Sequence, residues 1–591
     1  LRYDEFYDAR EFAVARKLLD HGQERAKQLA AGDPKWTKQT GLVVRGYRSK
    51  IDGSVQPFGL VVPASWSPTA PHKFRLDLWW HGRGEKLTEL SFIQQRETQK
   101  GEFTPPDTIV LHPYGRYCNA NKFAGEVDTF EATAEVKKHY RIDEDRIVAR
   151  GFSMGGAACW QFATHFPSVW CAANPGAGFA ETADFLKVFQ NEKVQPTEWE
   201  QKLWRWYDAT DYAGNLFNLP TVAYSGEIDK QKQAADMMAK AMKAEGLELT
   251  HLIGPGTAHK YHPETKKEVA AKIDALAAKG RPDLPEEVRF TTYTLRYPQS
   301  YWVRVNEVGR HWEKVHVDAK IDGLGKNSSA HRYPISIKTQ NVVSLSLVFS
   351  SKWNPLMGLE PSVELDGQTL SMSQQNAVGP GVRHFRKKGD KWEEADSPLE
   401  SGQFKKPGLQ GPIDDTFMDR FLMVRPTGMP LNEKVGAWTK GEMAHAIKAW
   451  RDQFRGEAPV KDDTAVTDAD IRDSNLILWG DPSSNKVLAK IAGKLPIPWD
   501  QTGVRFGPKI WNGENHVVLM IYPNPLNPNK YVVLNSGFTF REYDYLSNAR
   551  QTPKLPDWAI VDVNTPPSPR WPGKVVEAGF FDEKWQWSMM R

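Results

Sequence analysis

Gly151-Phe152-Ser153-Met154-Gly155-Gly156 constrains this chain more than any other stretch. The apolar run Arg146-Ile147-Val148-Ala149 ahead of it reads as a short buried strand. Ala157-Ala158-Cys159-Trp160-Gln161-Phe162-Ala163 after it reads as the start of a packed helix. Gly-x-Ser-x-Gly between strand and helix is the setting of a nucleophile turn, which holds a strained serine with its hydroxyl above a sheet. A side chain at 151 or 155 would collide with the neighbouring strand or helix, so glycine clears both positions. The amide of Met154, at the helix start, points where an oxyanion forms. The bare pattern also arises as a plain strand–helix turn; its setting and its partners downstream favour the nucleophile.

Acyl transfer by serine needs a base, a carboxylate to orient the base, and donors for the oxyanion. On a parallel sheet carrying this turn the chain order is Ser, then Asp or Glu, then His. Ser225-Gly226-Glu227-Ile228-Asp229 follows a strand, and by residue type Glu227 and Asp229 both qualify as the acid. Gly256-Thr257-Ala258-His259 follows the last strand, where the histidine belongs. A loop acid or loop histidine taken singly is usually solvated or a helix cap; the joint order is what selects them. His262 lies in the same loop but directly precedes Pro263, which suits the border of a helix, so His259 is the expected base. His81-Gly82-Arg83-Gly84 follows an earlier strand, and Gly82 or Arg83 is expected to supply the second oxyanion amide.

The rest of the chain arranges itself around this constellation. Residues 1–73 read as a helical arm and a β-hairpin, with strands at 42–47 and 57–63 around Asp52-Gly53, packed on the part that carries the serine turn. Between 74 and 282 strands alternate with helices, which implies a mainly parallel sheet covered on both faces. The helix at 126–140 is expected to carry Val127, Phe130 and Ala134 on one face. A Trp-rich helical insertion occupies 180–218. From 283 to 400 only strand-like alternation appears, a β-sandwich-like module. A polar Gly/Pro-rich linker runs from Ser397 to Pro412, and 413–591 reads as an accessory α/β domain without catalysis of its own. Its turn Gly480-Asp481-Pro482-Ser483-Ser484-Asn485 lacks the lysine of a phosphate-binding loop and reads as a helix cap.

Composition narrows the partners. Seventy-seven basic and 73 acidic residues leave a net charge of +4 with no basic tract, so nucleic acid is not indicated. No run approaches the apolar length of a membrane span. The start at Leu1, without Met, fits a chain trimmed of a leader and equally a sequence cut at an arbitrary boundary. Twenty-two tryptophans are expected mostly in cores, with sugar-stacking platforms as the alternative. Cys118, Cys159 and Cys171 have no metal-ligand spacing; Cys118 and Cys171 either pair or remain free thiols. No cofactor or metal is expected.

Tyr140-x-Ile142-Asp143-x-x-Arg146-Ile147 ahead of the serine turn, together with Gly226-x-x-Asp229, resembles the α/β-hydrolase superfamily over roughly residues 57–280. Within it the chain is most similar to feruloyl and acetyl esterases, polyhydroxybutyrate-depolymerase-like enzymes and prolyl oligopeptidase-like hydrolases. The resemblance implies an exported carboxylic-ester hydrolase with a Ser153–His259–Asp229 triad, and it favours Asp229 over Glu227. An ester on a plant or algal polysaccharide is the expected substrate. A serine peptidase and a carbohydrate-binding scaffold with a relict hydrolase domain are the alternatives. The propeller of true prolyl oligopeptidases has no room before residue 74, and the region from 283 onward carries no such resemblance.

Overall fold

The strand Phe74–Trp80 is buried along its whole length, charged side chains included. A strand covered on both faces belongs inside a parallel sheet with helices above and below. Its charges are tolerated because they neutralise one another. Arg75 Nε donates to Asp77 Oδ1 at 2.6 Å, and Arg150 Nη1 lies 3.2 Å from Asp77 Oδ2. The computed structural model describes residues 3, 5–323, 334–349, 362–371, 381–506 and 509–587.

Around that strand the chain runs α1 (Arg10–Ala30), β1 (Gly41–Arg48), β2 (Val55–Val62), β3 (Phe74–Trp80), α2 (Glu89–Thr98), β4 (Thr108–Pro113) and α3 (Ala124–His139). It continues through β5 (Ile142–Phe152), α4 (Met154–His165), β6 (Ala172–Gly176), α5 (Ala183–Gln190), α6 (Glu198–Trp204), β7 (Val222–Gly226), α7 (Lys232–Ala244), β8 (Thr250–Gly254) and α8 (Pro263–Lys279). The sheet order is β1-β2-β4-β3-β5-β6-β7-β8. From β4 to β8 neighbouring strands are parallel; β1 and β2 are antiparallel. The hairpin at 41–62 is therefore the antiparallel edge of this sheet rather than an arm laid on it. Phe58 pairs with Pro113 and Val61 with Val110, which makes β2 continuous with β4.

The buried side of α3 differs from its apolar stripe. Ala134 is exposed, whereas Asp128, Thr129, Ala132, Thr133 and Val136 are buried. The polar members find partners. Asp128 accepts from the Tyr47 hydroxyl and, at 2.7 Å, from Gly115 N; Thr129 Oγ1 accepts from Trp80 Nε1 at 3.1 Å. Of the stripe, Val127 and Phe130 pack partly buried against the cores and Ala134 faces water; satisfied polar groups complete the packed face.

Residues 287–395 supply two five-stranded sheets with a core of Val, Ile and Leu around Trp302 and Trp392. Beyond them lies a seven-stranded sheet in the order 460–462, 421–425, 475–478, 527–534, 516–524, 558–562, 574–579. Its first four strands are parallel and the remainder antiparallel. The last two strands escaped the sequence pattern because prolines crowd around them. Helix α9 (Glu433–Phe454) packs on this sheet. The segment before it is not a free linker: Lys405 Nζ meets Asp557 Oδ2 at 2.6 Å with both side chains fully buried, and Leu409 and Gln410 are buried too. All three cysteines are free and buried, so the Cys118–Cys171 pairing is not formed. Among the described residues no helix is long and apolar enough to cross a membrane.

The C-terminal sheet does not have a core to itself. One contiguous cluster joins Phe421, Trp450, Phe454 and Phe540 to Phe123, Trp206 and Tyr207 of the first sheet's connections. Phe123 stacks on Phe540 at 5.2 Å and meets Phe454 edge-on at 6.3 Å. A chain ending at residue 412 would strand that apolar surface in water. It should be insoluble or molten by circular dichroism, and Ser153 should not label with a serine-directed phosphonate. A soluble fragment with full labelling would refute the shared core.

Asp414 gives a second test. Its carboxylate accepts from Thr539 N at 2.9 Å and Thr539 Oγ1 at 2.6 Å, and burial pushes it up to about 7. In an unfolded chain an aspartate ionises at about 3.9. Between those values unfolding releases a proton, so this contribution is full at low pH and is lost as pH rises toward 7. The unfolding free energy of the native protein relative to Asp414→Asn, from urea titrations at pH 5 and pH 8, should therefore shrink as pH rises. A difference that grows would contradict it.

Candidate active site

Ser153 sits between β5 and α4 with φ 59° and ψ −122°, a region a non-glycine residue occupies only under constraint. Strain of this kind costs about 1–3 kcal/mol and persists where neighbours over-determine it. Here Ser153 N donates to Gly176 O at 2.8 Å, and Ser153 O accepts from Ala157 N at 3.1 Å. A Cβ on Gly151 would lie 2.1 Å from Gly155 O, and one on Gly155 would lie 2.0 Å from Trp80 O. Strand, turn and helix meet so closely that only glycine fits at either position.

Asp229 and His259 come together across two loops. His259 Nδ1 and Asp229 Oδ2 are 2.7 Å apart, and the second carboxylate oxygen accepts from Gln231 N at 2.9 Å. The Asp229 side chain is 3% exposed and that of His259 38%, so the acid is buried and the imidazole faces the cleft. The loops are stitched by backbone. Glu227 N donates to Gly254 O at 2.9 Å and Ile228 N to Thr257 O at 3.1 Å. A Cβ on Gly226 would be 2.2 Å from Thr257 O, which requires glycine there. Glu227 turns the other way and accepts from Gly256 N at 2.7 Å, bracing the histidine loop. His262 caps α8: its Nδ1 accepts from Thr265 N at 3.4 Å, and its own N donates to the Tyr224 hydroxyl. The ring of Phe152 lies 4.8 Å from that of His259, which brings the imidazole beside the serine turn. Ser153 Oγ makes no hydrogen bond to His259 in this state; such bonds tighten when substrate is bound.

On the opposite side Met154 opens α4, where the first amides of a helix have no partner within it. A Cβ on Gly82 would stand 3.8 Å from Ser153 Cβ, so the Gly82 backbone runs alongside the serine. His81 fixes that backbone, with Nδ1 2.8 Å from Gly82 O and Nε2 2.9 Å from Tyr114 O. The Arg83 side chain points away. It donates to Glu85 Oε1 at 2.7 Å, to Asn548 Oδ1 at 3.1 Å and to Tyr545 O at 2.9 Å, anchoring the loop to the C-terminal region.

A cavity of about 370 Å³ opens between these walls. Gly82, Phe152, His259 and Tyr261 line it together with Arg96 and His112. The sequence reading missed Arg96 and Asn548. Arg96 sits in an ordinary polar helix pattern, and Asn548 is remote in sequence, so neither carries a local signal.

Residues 119–279 match the prolyl oligopeptidase family. Over these residues the chain has the fold and the nucleophile turn of the α/β-hydrolase superfamily. No curated protein matches the chain. Solved structures similar to the α/β-hydrolase region include a thermostable esterase, 17% identical over 41% of this chain and 63% of that one, TM-score 0.30. The acylaminoacyl peptidase of Pyrococcus horikoshii is 15% identical over 40% of this chain and 42% of its own, TM-score 0.30. A ferulic acid esterase is 15% identical over 41% and 98%, TM-score 0.30. The match thus spans less than two thirds of the thermostable esterase.

The stitching of the hydrolase's two loops at Gly226 is testable. Gly226→Ala should push the Asp229 and His259 loops apart, and overpacking of this kind costs about 1–3 kcal/mol. Phosphonate labelling of Ser153 should slow at least tenfold while the far-ultraviolet dichroism is retained. Unchanged labelling would show that the loops tolerate a methyl group.

Proposed function

We propose that this hydrolase cleaves a carboxylic ester through an acyl-enzyme. Ser153 is the nucleophile, His259 the general base and then acid, and Asp229 the carboxylate that orients the imidazole. The observation that carries the reading is the 2.7 Å bond between His259 Nδ1 and a buried Asp229, with the ring beside the strained Ser153 turn. That bond leaves Nε2 as the nitrogen that takes the serine proton and returns it to the leaving alcohol. The amide of Met154 and that of Gly82 or Arg83 receive the developing oxyanion. Water then attacks the acyl-enzyme by the same route.

The finer part of the reading is an exported carbohydrate esterase acting on an acetyl or feruloyl ester of a polysaccharide. What supports it is the exposure of the His259 imidazole toward the cleft, where an ester on a larger molecule can reach it. The tryptophan count does not support it, because nine tryptophans are almost fully buried. A serine peptidase is the second reading, favoured by the family match over 119–279. Hydrolysis of short aryl esters, feruloyl esters and acetylated sugars, compared with peptide amides, separates the two. Ester turnover with no amide turnover is expected.

In the same assay Ser153→Ala and His259→Ala should each lower kcat by about 10⁴-fold or more. Asp229→Asn should lower kcat with KM near normal, whereas Glu227→Gln and His262→Ala should keep at least a tenth of the rate. If Glu227→Gln or His262→Ala proves the more damaging change, the acid or the base has been misassigned.

A further inference from the structure

Arg96 carries a charge that the fold does not answer. It is one of two buried residues of α2, the other being Phe92. Its stem lies across β2 at Gly59, where a Cβ would come within 2.5 Å of Arg96 Cγ and 2.6 Å of Cδ. The missing side chain at 59 is what lets the arginine run inward. Its Nη1 donates to His112 Nδ1 at 2.9 Å. Its Nε is buried without a partner. Among the described residues no carboxylate forms an ion pair with it. The carboxylate that does line the cavity, Glu102, is engaged by Lys266 Nζ at 2.7 Å.

His112 cannot neutralise the guanidinium. Burial, reinforced by the charge of Arg96, pushes its imidazole well below the usual range, so it is a neutral acceptor. Arg96 itself is lowered by burial only to about 10 and stays cationic at neutral pH. A buried cation with one neutral acceptor is costly to keep, and removing a partner from such a charge is among the more expensive changes in a fold. Arg96 also lines the same cavity as Gly82, Phe152 and His259. Its guanidinium is a planar fork of donors whose geometry matches a carboxylate.

We propose that Arg96 is a specificity residue that receives a carboxylate of the substrate, so that the preferred ester is an anionic one. The proposal rests on the ester-hydrolase reading and adds the substrate's charge to it. The bound carboxylate would occupy the free donor edge of the guanidinium, with His112 holding the other edge in place.

The test uses the full chain and two matched ester pairs. One places the carboxylate on the acyl side: 4-nitrophenyl hydrogen adipate against 4-nitrophenyl hexanoate. The other places it on the alcohol side: 4-acetoxybenzoate against 4-methylphenyl acetate. In at least one pair kcat/KM should favour the anionic member by tenfold or more, after subtraction of spontaneous hydrolysis. In Arg96→Gln that ratio should fall toward one, and Arg96→Lys should keep part of it. Adipate should inhibit hydrolysis of the hexanoate ester competitively in the native enzyme, and adipamide should not. Hydrolysis of both pairs by the native enzyme without preference overturns the proposal alone, whether or not the variants fold. A preference that survives in Arg96→Gln overturns it as well. Failure to hydrolyse any of the four esters overturns the ester reading and the proposal with it.

Discussion

The molecule depends on a buried loop that has no ladder of its own. Between β4 and α3 the residues Arg116, Tyr117, Ala120, Asn121 and Phe123 all adopt positive φ, as does Gly115. A loop this irregular leaves backbone carbonyls that a core cannot tolerate unpaired. Side chains from remote elements answer them. Asn548 Nδ2 donates to Cys118 O at 3.0 Å and Gln551 Nε2 to the same oxygen at 3.2 Å. Gln161 Nε2 donates to Ala120 O at 2.9 Å and to Asn121 O at 3.1 Å. In return Lys122 Nζ reaches Asn548 O and Gln551 O at 3.0 and 3.1 Å, buried enough for its amine to drop to about 7. Arg116 pairs with Asp52 at 2.8 Å, both side chains fully buried, and also donates to Phe454 O at 3.2 Å.

The active site inherits this dependence. Met154, whose amide heads α4, packs against Cys118 and Ala120 of the loop. The Gly82–Arg83 turn is held to Tyr545 and Asn548, and Asn548 is also the residue that caps Cys118 O. Both walls of the proposed oxyanion position therefore lean on the segment 545–551. The proposed acid and base do not: Asp229 and His259 are fixed by the backbone stitching at Gly226 and by the cap of α8. The C-terminal region touches one half of the constellation and leaves the other to the sheet.

This division explains what could be read from the sequence. Ser153, Asp229 and His259 are each announced by local demands: glycines at close approaches, a strand end, a proline that turns His262 into a cap. Such demands are written within a few residues of the position they govern. The β-sheet cores were legible for the same reason, through period and turn residues. The shared core was not. Phe123, Trp206 and Phe540 look like any buried aromatics, and nothing near them in sequence names a partner hundreds of residues away. Lys405 and Asp557 look like ordinary surface charges, and their pairing buries the end of the stretch that reads as a linker. Arg96 was hidden by its helix, since one arginine in a polar pattern is the commonest thing a surface helix contains.

The tryptophans show how the modules are kept in register. An indole offers a large apolar face and one N–H that must be satisfied when buried. Trp206 Nε1 donates to the Tyr297 hydroxyl at 2.9 Å, joining the helical insertion to the first strands of the sandwich. Trp450 Nε1 donates to Asp52 Oδ2 at 2.9 Å, joining α9 to the hairpin of the first sheet. Trp199 Nε1 donates to Lys554 O at 3.1 Å, joining the insertion to the C-terminal region. Each bond crosses a boundary where apolar packing alone would allow sliding, because dispersion is not directional and a hydrogen bond is. Trp450 makes the point most strongly: its acceptor is the same carboxylate that neutralises Arg116 in the strained loop. Moving α9 would leave Asp52 short of a donor and the indole unpaired, both in a buried site. Trp199, Trp206 and Trp450 thus each fix one module against the next.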